Sequence, residues 1–323
     1  MQLEQARAQT AMRATGVNFD VQERFSRLFN GFAVRVRDAD VNRLTRAPGV
    51  RAVYPMMRIE RPVTESGAQP ELDTSIGMIG APISQDTLGF KGTGIKVGVI
   101  DSGIDLQHPD FGSRIQFGYD FVGDLYDSSS TDPARNTPVP GQDTPDDCGG
   151  HGTHVAGIVG ANGTVKGVAP NVTLGAYRIF GCTGTTSAAM ILAAMERALE
   201  DGMDVVNMSL GSPNGWPNYP NAQAVDRMTQ AGLIVVASAG NSGGTGLYAS
   251  GGPAMSDSAL SVTNVNNVTL LQSIFTVGAR NVGYSAMTFS GPSPRAAQRS
   301  WHEPARPRAP PIPATRQNLP WTV

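Results

Sequence analysis

The chain has 323 residues, a formal net charge of −2 and 40% hydrophobic residues, which allows one sizeable core and argues against wholesale disorder. The charge is divided unevenly, with +5 on residues 1–62, −11 on residues 63–291 and +4 on residues 292–323. An acidic central portion in a chain with three lysines disfavours a nucleic-acid binder, and no apolar run approaches the ~20 residues of a membrane span.

The first 62 residues are predicted to form a small α+β unit. Apolar and polar residues alternate over residues 31–37, as in a strand with one buried face. A short amphipathic helix that ends at Pro48 and a second strand at residues 50–55 follow. The polar stretch 63–74 is predicted to be an exposed linker.

From about residue 94, short apolar runs alternate with helical stretches. Residues 187–199 and 222–230 have helix-forming composition. The apolar runs have the length of strands and lie at residues 95–101, 172–179, 204–210, 233–239 and 273–279. This alternation predicts an α/β fold with a doubly wound, mostly parallel sheet that is covered on both faces.

The final stretch, residues 292–323, is rich in Arg and Pro and has neither a helical nor a strand period. Such a segment cannot bury enough apolar surface to fold alone. Two interpretations stay open: a disordered tail, or the translation product of a shifted reading frame.

Three polar side chains follow predicted strands or turns in a pattern that suggests a reaction site. Asp101 ends the first buried strand, His151 follows a Gly-rich turn at a predicted helix start, and Asn241 lies in the turn after residues 233–239. In an open α/β sheet the carboxyl ends of the strands form the binding edge. Each residue alone is more often a cap, a turn residue or a structural residue, but together they predict a carboxylate-oriented base beside an oxyanion donor.

The surrounding motifs resemble those of one family, the subtilisin-like serine proteases or subtilases. The motifs are Val-Ile-Asp-Ser-Gly-Ile-Asp at 99–105, His-Gly-Thr-His-Val-Ala-Gly at 151–157, Val-Asn-Met-Ser-Leu-Gly at 206–211 and Ala-Ser-Ala-Gly-Asn at 237–241. The resemblance covers residues 75–291 and implies a subtilisin-like, incomplete catalytic domain. Residues 1–62 resemble the inhibitor-type prosegment that precedes many subtilases.

The resemblance assigns roles to individual residues. Asp101 would orient His151 as general base, and the Asn241 amide would donate to the oxyanion. The residues implied to line the substrate groove are Ser209, Leu210, Gly211, Ser238 and Gly240. The resemblance further implies polypeptide substrates, a prosegment acting as intramolecular inhibitor, a monomer and an extracellular location, although no signal peptide is visible in the sequence.

Cysteines and acidic residues raise the question of bridges and metals. Relatives of one subtilase type link cysteines at the positions of Cys148 and Cys182, and the alternative of two reduced thiols stays open.

No metal is expected at His151 and His154, because no third ligand stands at suitable spacing. No cofactor is expected to be required. Asp110 matches a position that often binds structural calcium in the family, but the sequence lacks the longer loop that completes that site, so calcium there is possible but unsupported. The acidic loop of Asp124, Asp127 and Asp132 is interpreted as a solvated turn.

The nucleophile is missing from the sequence pattern. Subtilases present it as Gly-Thr-Ser-Met-Ala, which does not occur in this sequence. Ser187 precedes the Asn241 turn and is predicted to cap a helix, and Ser285 lacks the proline and apolar helix that follow the family's serine. Residues 281–291 resemble the entrance to a protease-associated insert.

These observations predict a member of the serine endopeptidase family that is truncated before its nucleophile and inactive as written. The competing hypothesis is a non-catalytic protein: a peptide-binding pseudoprotease or a prosegment-type protease inhibitor. A third is a gene fragment without a selected function.

Overall fold

The computed structural model describes residues 1–62, 72–246, 249–265, 273–278, 280–284 and 321–322. The helices described are α1 (Gln2–Ala14), α2 (Val41–Leu44), α3 (Leu72–Met78), α4 (Pro133–Asn136), α5 (His151–Gly160), α6 (Ala188–Glu200) and α7 (Pro220–Gln230). The strands described are β1 (Phe19–Phe25), β2 (Gly31–Val36), β3 (Tyr54–Pro55), β4 (Arg58–Glu60), β5 (Lys96–Asp101), β6 (Ile115–Asp120), β7 (Thr173–Arg178), β8 (Thr185–Ser187), β9 (Val205–Met208), β10 (Ile234–Ser238), β11 (Leu260–Val262), β12 (Ser273–Val277), β13 (Arg280–Tyr284) and β14 (Trp321–Thr322).

Several predicted features lie outside the described residues. They are residues 63–71 of the linker predicted at 63–74, the part of the insert entrance beyond residue 284, Ser285, and the tail at 292–320. The last three residues of the predicted linker are not extended but begin helix α3. Among the helices that the structure describes, none has the length and apolar character needed to cross a membrane.

A six-stranded sheet forms the centre of the molecule. Its strand order is β11-β10-β9-β5-β7-β6, and every neighbouring pair is parallel. From β5 the chain builds β6 and β7 on one side and then β9, β10 and β11 on the other. The predicted α/β fold with a parallel, doubly wound sheet is confirmed. Because the winding direction reverses at β5, the carboxyl end of this strand is the expected site edge.

Strand β5 shows why the sheet is covered on both faces. Val97 and Val99 lie in the core that includes Val155 of α5, whereas Ile100 lies in the larger core with residues of α6 and α7. Complete burial of a side chain such as Ile100 stabilises the fold by about 2 kcal/mol. Because successive strand residues point to opposite faces, Asp101 projects on the face of Val99, toward α5.

The N-terminal segment (residues 1–62) has its own small core beneath an antiparallel sheet of order β1-β2-β14-β3. Strand β14 comes from the C-terminal stretch, whose residues 321–322 pair with β2 and β3 although no strand is predicted there. The predicted strand at 31–37 corresponds to β2, but the second predicted strand is reduced to β3. The pattern analysis misses α1, because only Gln5, Ala8 and Met12 of this polar helix are buried. It also misses β1, whose middle residues are only partly buried.

One predicted strand has a different role. Residues 273–279 were expected to be a buried strand of the parallel sheet, but β12 pairs antiparallel with β13 in a separate hairpin. Thr276, Val277 and Gly278 are exposed. Gly278 adopts a φ of +62°, a left-handed conformation that glycine tolerates and that reverses the chain before it can extend the sheet.

Candidate active site

Asp101 is the last residue of β5, and its side chain is completely buried. Its Oδ1 accepts a hydrogen bond from the Ser102 backbone N–H at 2.7 Å and lies 2.8 Å from Nδ1 of His151. Its Oδ2 is buried without a hydrogen-bond partner among the described residues. A buried carboxylate favours an N–H facing it, so the geometry assigns the Nδ1–H tautomer to neutral His151.

His151 is the first residue of α5, and the turn before it depends on glycine. Gly150 has a φ of +82° at the N-cap position, where a side chain would be strained. Gly152 lies so close to the carbonyl oxygen of Gly103 that an added Cβ would collide with it. The helix start can therefore approach the end of β5, which brings the imidazole to Asp101.

The charges around His151 raise its pKa above the usual value. Burial is the largest influence on this pKa and lowers it, but the hydrogen bond and charge of Asp101 outweigh the burial. The charge of Asp147 also raises the pKa of His151, and the charge of Arg61 lowers it. The site thus stabilises the imidazolium that a general base becomes after it takes a proton.

The remaining predicted residues lie at the same carboxyl edge, because β9 and β10 run parallel to β5. Ser209, Leu210 and Gly211 directly follow β9, and the Ser209 hydroxyl accepts a hydrogen bond from the Asn207 amide at 3.0 Å. Ser238 ends β10 and donates to the Leu210 carbonyl at 3.4 Å. Gly240 has a φ of +98° and leads to Asn241, which lies exposed in the bend.

A protein-family model described as the subtilase family (Peptidase S8) matches residues 92–308, more than half of the chain. The chain belongs to the subtilase family. Its similarity extends to named relatives in bacilli: the minor extracellular protease Vpr of Bacillus subtilis (strain 168) is 38% identical over 255 residues, which are 76% of this chain and 30% of Vpr.

Two subtilisins show the same relationship. Subtilisin DY of Bacillus licheniformis is 40% identical over 196 residues, which are 59% of this chain and 64% of that protein. Subtilisin NAT of Bacillus subtilis subsp. natto is 34% identical over 263 residues, which are 80% of this chain and 62% of that protein. The chain thus spans less than two thirds of the length of each of these relatives.

In this subtilase, the end of the N-terminal segment lies beside the site. Strand β4 pairs antiparallel with β8, with Ile59 opposite Thr186. Arg61 is the residue that follows β4. Its Nη1 donates to the Cys182 carbonyl at 2.9 Å, and its guanidinium fills the space over Gly149. Nε and Nη2 of Arg61 are buried and have no hydrogen-bond partner among the described residues.

The two cysteines of the subtilase chain form a disulfide. It joins the turn before His151 to the loop after β7. Buried Arg178 lies beneath it, with Nη2 3.5 Å from each sulfur and 2.6 Å from Oδ1 of Asp124. Asp124, Cys148 and Cys182 cluster closely, but the two sulfurs are bonded to each other and offer no thiolate to a metal.

Other acidic side chains of the subtilase domain accept hydrogen bonds from backbone N–H groups of other residues. Asp110 accepts from the N–H groups of Thr164 at 2.9 Å and Val165 at 3.0 Å, and the Val165 bond is the largest cause of its lowered pKa. Asp127 accepts from Ser129 and Thr185, and Asp132 caps α4 through the Ala134 N–H at 2.9 Å. These contacts account for the carboxylates without a bound cation.

Of the two serines considered as nucleophile, only Ser187 can be placed in the structure. Ser187 is buried at the N-cap position of α6 without a side-chain capping bond, and Ser285 lies outside the described residues. His154 is exposed on the turn of helix that follows His151.

The sequence pattern indicates no role for Asp147, Arg61 or Glu196. Asp147 lies four residues before His151, in the turn that leads to this motif, whereas no local signal marks the other two.

Proposed function

We propose that this subtilase forms the base, oxyanion and substrate-binding parts of a serine endopeptidase site that cleaves polypeptides. The observation that carries the proposal is the 2.8 Å contact between His151 Nδ1 and the buried carboxylate of Asp101. With Nδ1–H held by Asp101, Nε2 is the nitrogen that accepts a proton from a nucleophile and returns it to the leaving amine. Asn241 would donate to the oxyanion.

The groove for an extended substrate is proposed at Ser209–Gly211, with Ser238 and Gly240 on the wall of the primary pocket. Its support is the position of these residues at the carboxyl edge of β9 and β10. A peptide that adds as a strand gains backbone hydrogen bonds, and nearby glycines let its backbone approach closely.

Residues 1–62 would act as an intramolecular inhibitor. The support is β4, which occupies the edge of β8 as an added strand would. The opposite charges of residues 1–62 and 63–291 would assist docking.

The test of the inhibitor role uses a fluorescent extended peptide and the variant Ile59→Pro, because proline lacks the N–H of a paired strand. Peptide binding by Ile59→Pro but not by wild type or Ile59→Val is expected, and equal binding by all three would refute the inhibitor role.

No residue is proposed as the nucleophile, and these 323 residues are proposed not to form an acyl-enzyme. The full chain is treated with a fluorophosphonate probe and assayed on casein, with Ser285→Ala and Ser187→Ala as controls. Absence of labelling and turnover is expected. Labelling that disappears in one of the two variants would overturn the proposal and identify the serine.

The competing function, a peptide-binding pseudoprotease or protease inhibitor, is separated by peptide binding to the wild-type chain and by an assay of inhibition. It requires peptide affinity, or inhibition of an added subtilisin, without turnover.

An extracellular location is proposed from the disulfide, which persists in oxidising compartments, and from the name of the relative Vpr. We propose a monomer without a required cofactor; sedimentation and denaturant unfolding before and after chelation test these two points.

A further inference from the structure

Asp147 makes an unusual number of hydrogen bonds beside the site. Its Oδ1 accepts from the N–H groups of Gly149 at 2.8 Å and Gly150 at 2.9 Å, and from the Ser102 hydroxyl at 3.0 Å. Its Oδ2 accepts from the N–H of Thr153 at 2.9 Å and from the Thr153 hydroxyl at 2.7 Å. Both oxygens are therefore fully used, although the side chain is only partly buried.

These partners flank Asp101 and His151, the two residues of the proposed general-base site. Ser102 directly follows Asp101 and donates its N–H to the Asp101 carboxylate. Gly149 and Gly150 directly precede His151, and Thr153 lies in the first turn of the same helix. One carboxylate thus joins the end of β5, which carries Asp101, to the start of α5, which carries His151.

Two further bonds close the network. The Ser102 hydroxyl accepts the N–H of Gly152 at 2.9 Å, and the Thr153 hydroxyl accepts the N–H of Asp105 at 2.9 Å. The first N–H groups of a helix have no partner within the helix, so a helix start is free to shift unless other groups bind them. Here Asp147 and Ser102 bind those of Thr153 and Gly152, and a negative charge at this end is also favoured by the helix dipole.

We propose that Asp147 is the positioning residue of the site: its carboxylate links the Asp101 strand end to the His151 helix start and so sets the His151–Asp101 hydrogen bond. The inference rests on the proposed role of His151 as general base. Its physical basis is that proton transfer depends on sub-ångström placement of the base, which the first turn of a helix cannot secure by itself.

Asp147 is suited to this role because it is ionised at neutral pH. Burial is the largest influence on the pKa of Asp147 and raises it, but the hydrogen bonds from Thr153, Gly149 and Gly150 outweigh burial and lower the pKa overall. Both oxygens of a carboxylate accept hydrogen bonds, whereas the neutral amide of asparagine presents a single acceptor oxygen and two donor hydrogens. Asparagine at position 147 therefore leaves several of the five donors without an acceptor.

The experiment follows the low-field Nδ1 proton and the titration of His151 by NMR in the full chain. The variants are Asp147→Asn, which removes the charge and the acceptors, and Ser102→Ala, which removes the link to β5 but keeps the charge. The control is Asp110→Asn, because Asp110 also accepts two backbone bonds but serves a different loop. The groups whose charges act on His151 are Asp101, Asp147 and Arg61, and each variant leaves Asp101 and Arg61 in place.

A positioning role predicts that the low-field proton is lost or exchanges faster in both Asp147→Asn and Ser102→Ala, and that it persists in Asp110→Asn. If Asp147→Asn lowers the pKa of His151 but the proton signal is unchanged in both site variants, Asp147 acts only as a distant charge and the proposal is wrong. Should Asp147→Asn fail to fold, Ser102→Ala and Thr153→Val decide on the same signal. A missing Nδ1 signal in the wild type contradicts the proposed His151–Asp101 hydrogen bond itself. A signal that is insensitive to these variants contradicts only the role of Asp147.

Discussion

The Asp101 carboxylate, with no exposed surface, contacts Nδ1 of His151 at 2.8 Å, while 19% of the His151 side chain stays exposed. The carboxylate is therefore shielded from water, and the imidazole remains accessible. A carboxylate in a water-poor site interacts more strongly with the imidazolium than it would at the surface.

Substitution Asp101→Asn is expected to lower the pKa of His151, because it removes the charge that raises this pKa and leaves at most a neutral hydrogen bond. The measurement is an NMR titration of the imidazole protons. Asp132→Asn serves as the control, since Asp132 caps α4 and asparagine is an equally good cap. An unchanged His151 titration in Asp101→Asn would contradict the assigned contact.

The same raised pKa predicts how the stability changes with pH. A folded state that binds the His151 proton more tightly than the unfolded chain gains stability that is fully present below the unfolded pKa of about 6.5 and is lost as pH rises through the folded-state pKa. Comparing the free energy of unfolding of wild type and His151→Gln across this range should show the difference shrinking as pH rises. A difference that grows with pH would reverse the sign of the shift.

Glu196 holds the N-terminal segment on α6. Its carboxylate accepts the N–H groups of Ser26 at 3.1 Å, Arg27 at 2.8 Å and Leu28 at 2.8 Å. Hydrogen bonds to charged groups contribute about 1.5–3 kcal/mol, so Glu196→Gln should weaken docking, seen as faster amide exchange in β4 and β8. Glu200→Gln is the matched control, because its ion pair with Arg27 is exposed and contributes ~0–1 kcal/mol. Equal effects of the two variants would argue against the capping role.

The disulfide should stabilise the whole sheet domain. Cys148 and Cys182 are 34 residues apart, and closing a loop of this size stabilises a fold by roughly 2–4 kcal/mol. The double substitution of both cysteines by serine should lower the free energy of unfolding by this amount in denaturant titrations. A reductant should destabilise the wild type in the same way and leave the double variant unaffected. An unfolding midpoint that does not respond to reductant would show that the bridge is not formed.

Gly149 makes room for Arg61. In Gly149→Ala the new Cβ would take the space of the Arg61 guanidinium, and displacement of this cation should raise the pKa of His151 further. Gly157→Ala, in the same region of the chain, meets no atom within 4 Å and should stabilise α5 by about 0.5–1 kcal/mol without changing that pKa. Identical His151 titrations in the two variants would place Arg61 elsewhere.

The α/β class and most strands of the parallel sheet can be predicted from the sequence, because burial imposes a local period that a few residues reveal. The sequence also predicts that Asp101 and Asn241 lie at one edge, since parallel strands end on the same side, whereas His151 reaches this edge from the start of a helix. The antiparallel pairing of β12 with β13 could not be predicted in this way. The same holds for the hydrogen bonds that join Asp147 to Ser102 and to the turn before His151, and for the bond from Ser26 to Glu196, 170 residues away in sequence. Such partners are selected by packing between distant segments, and no local period records them.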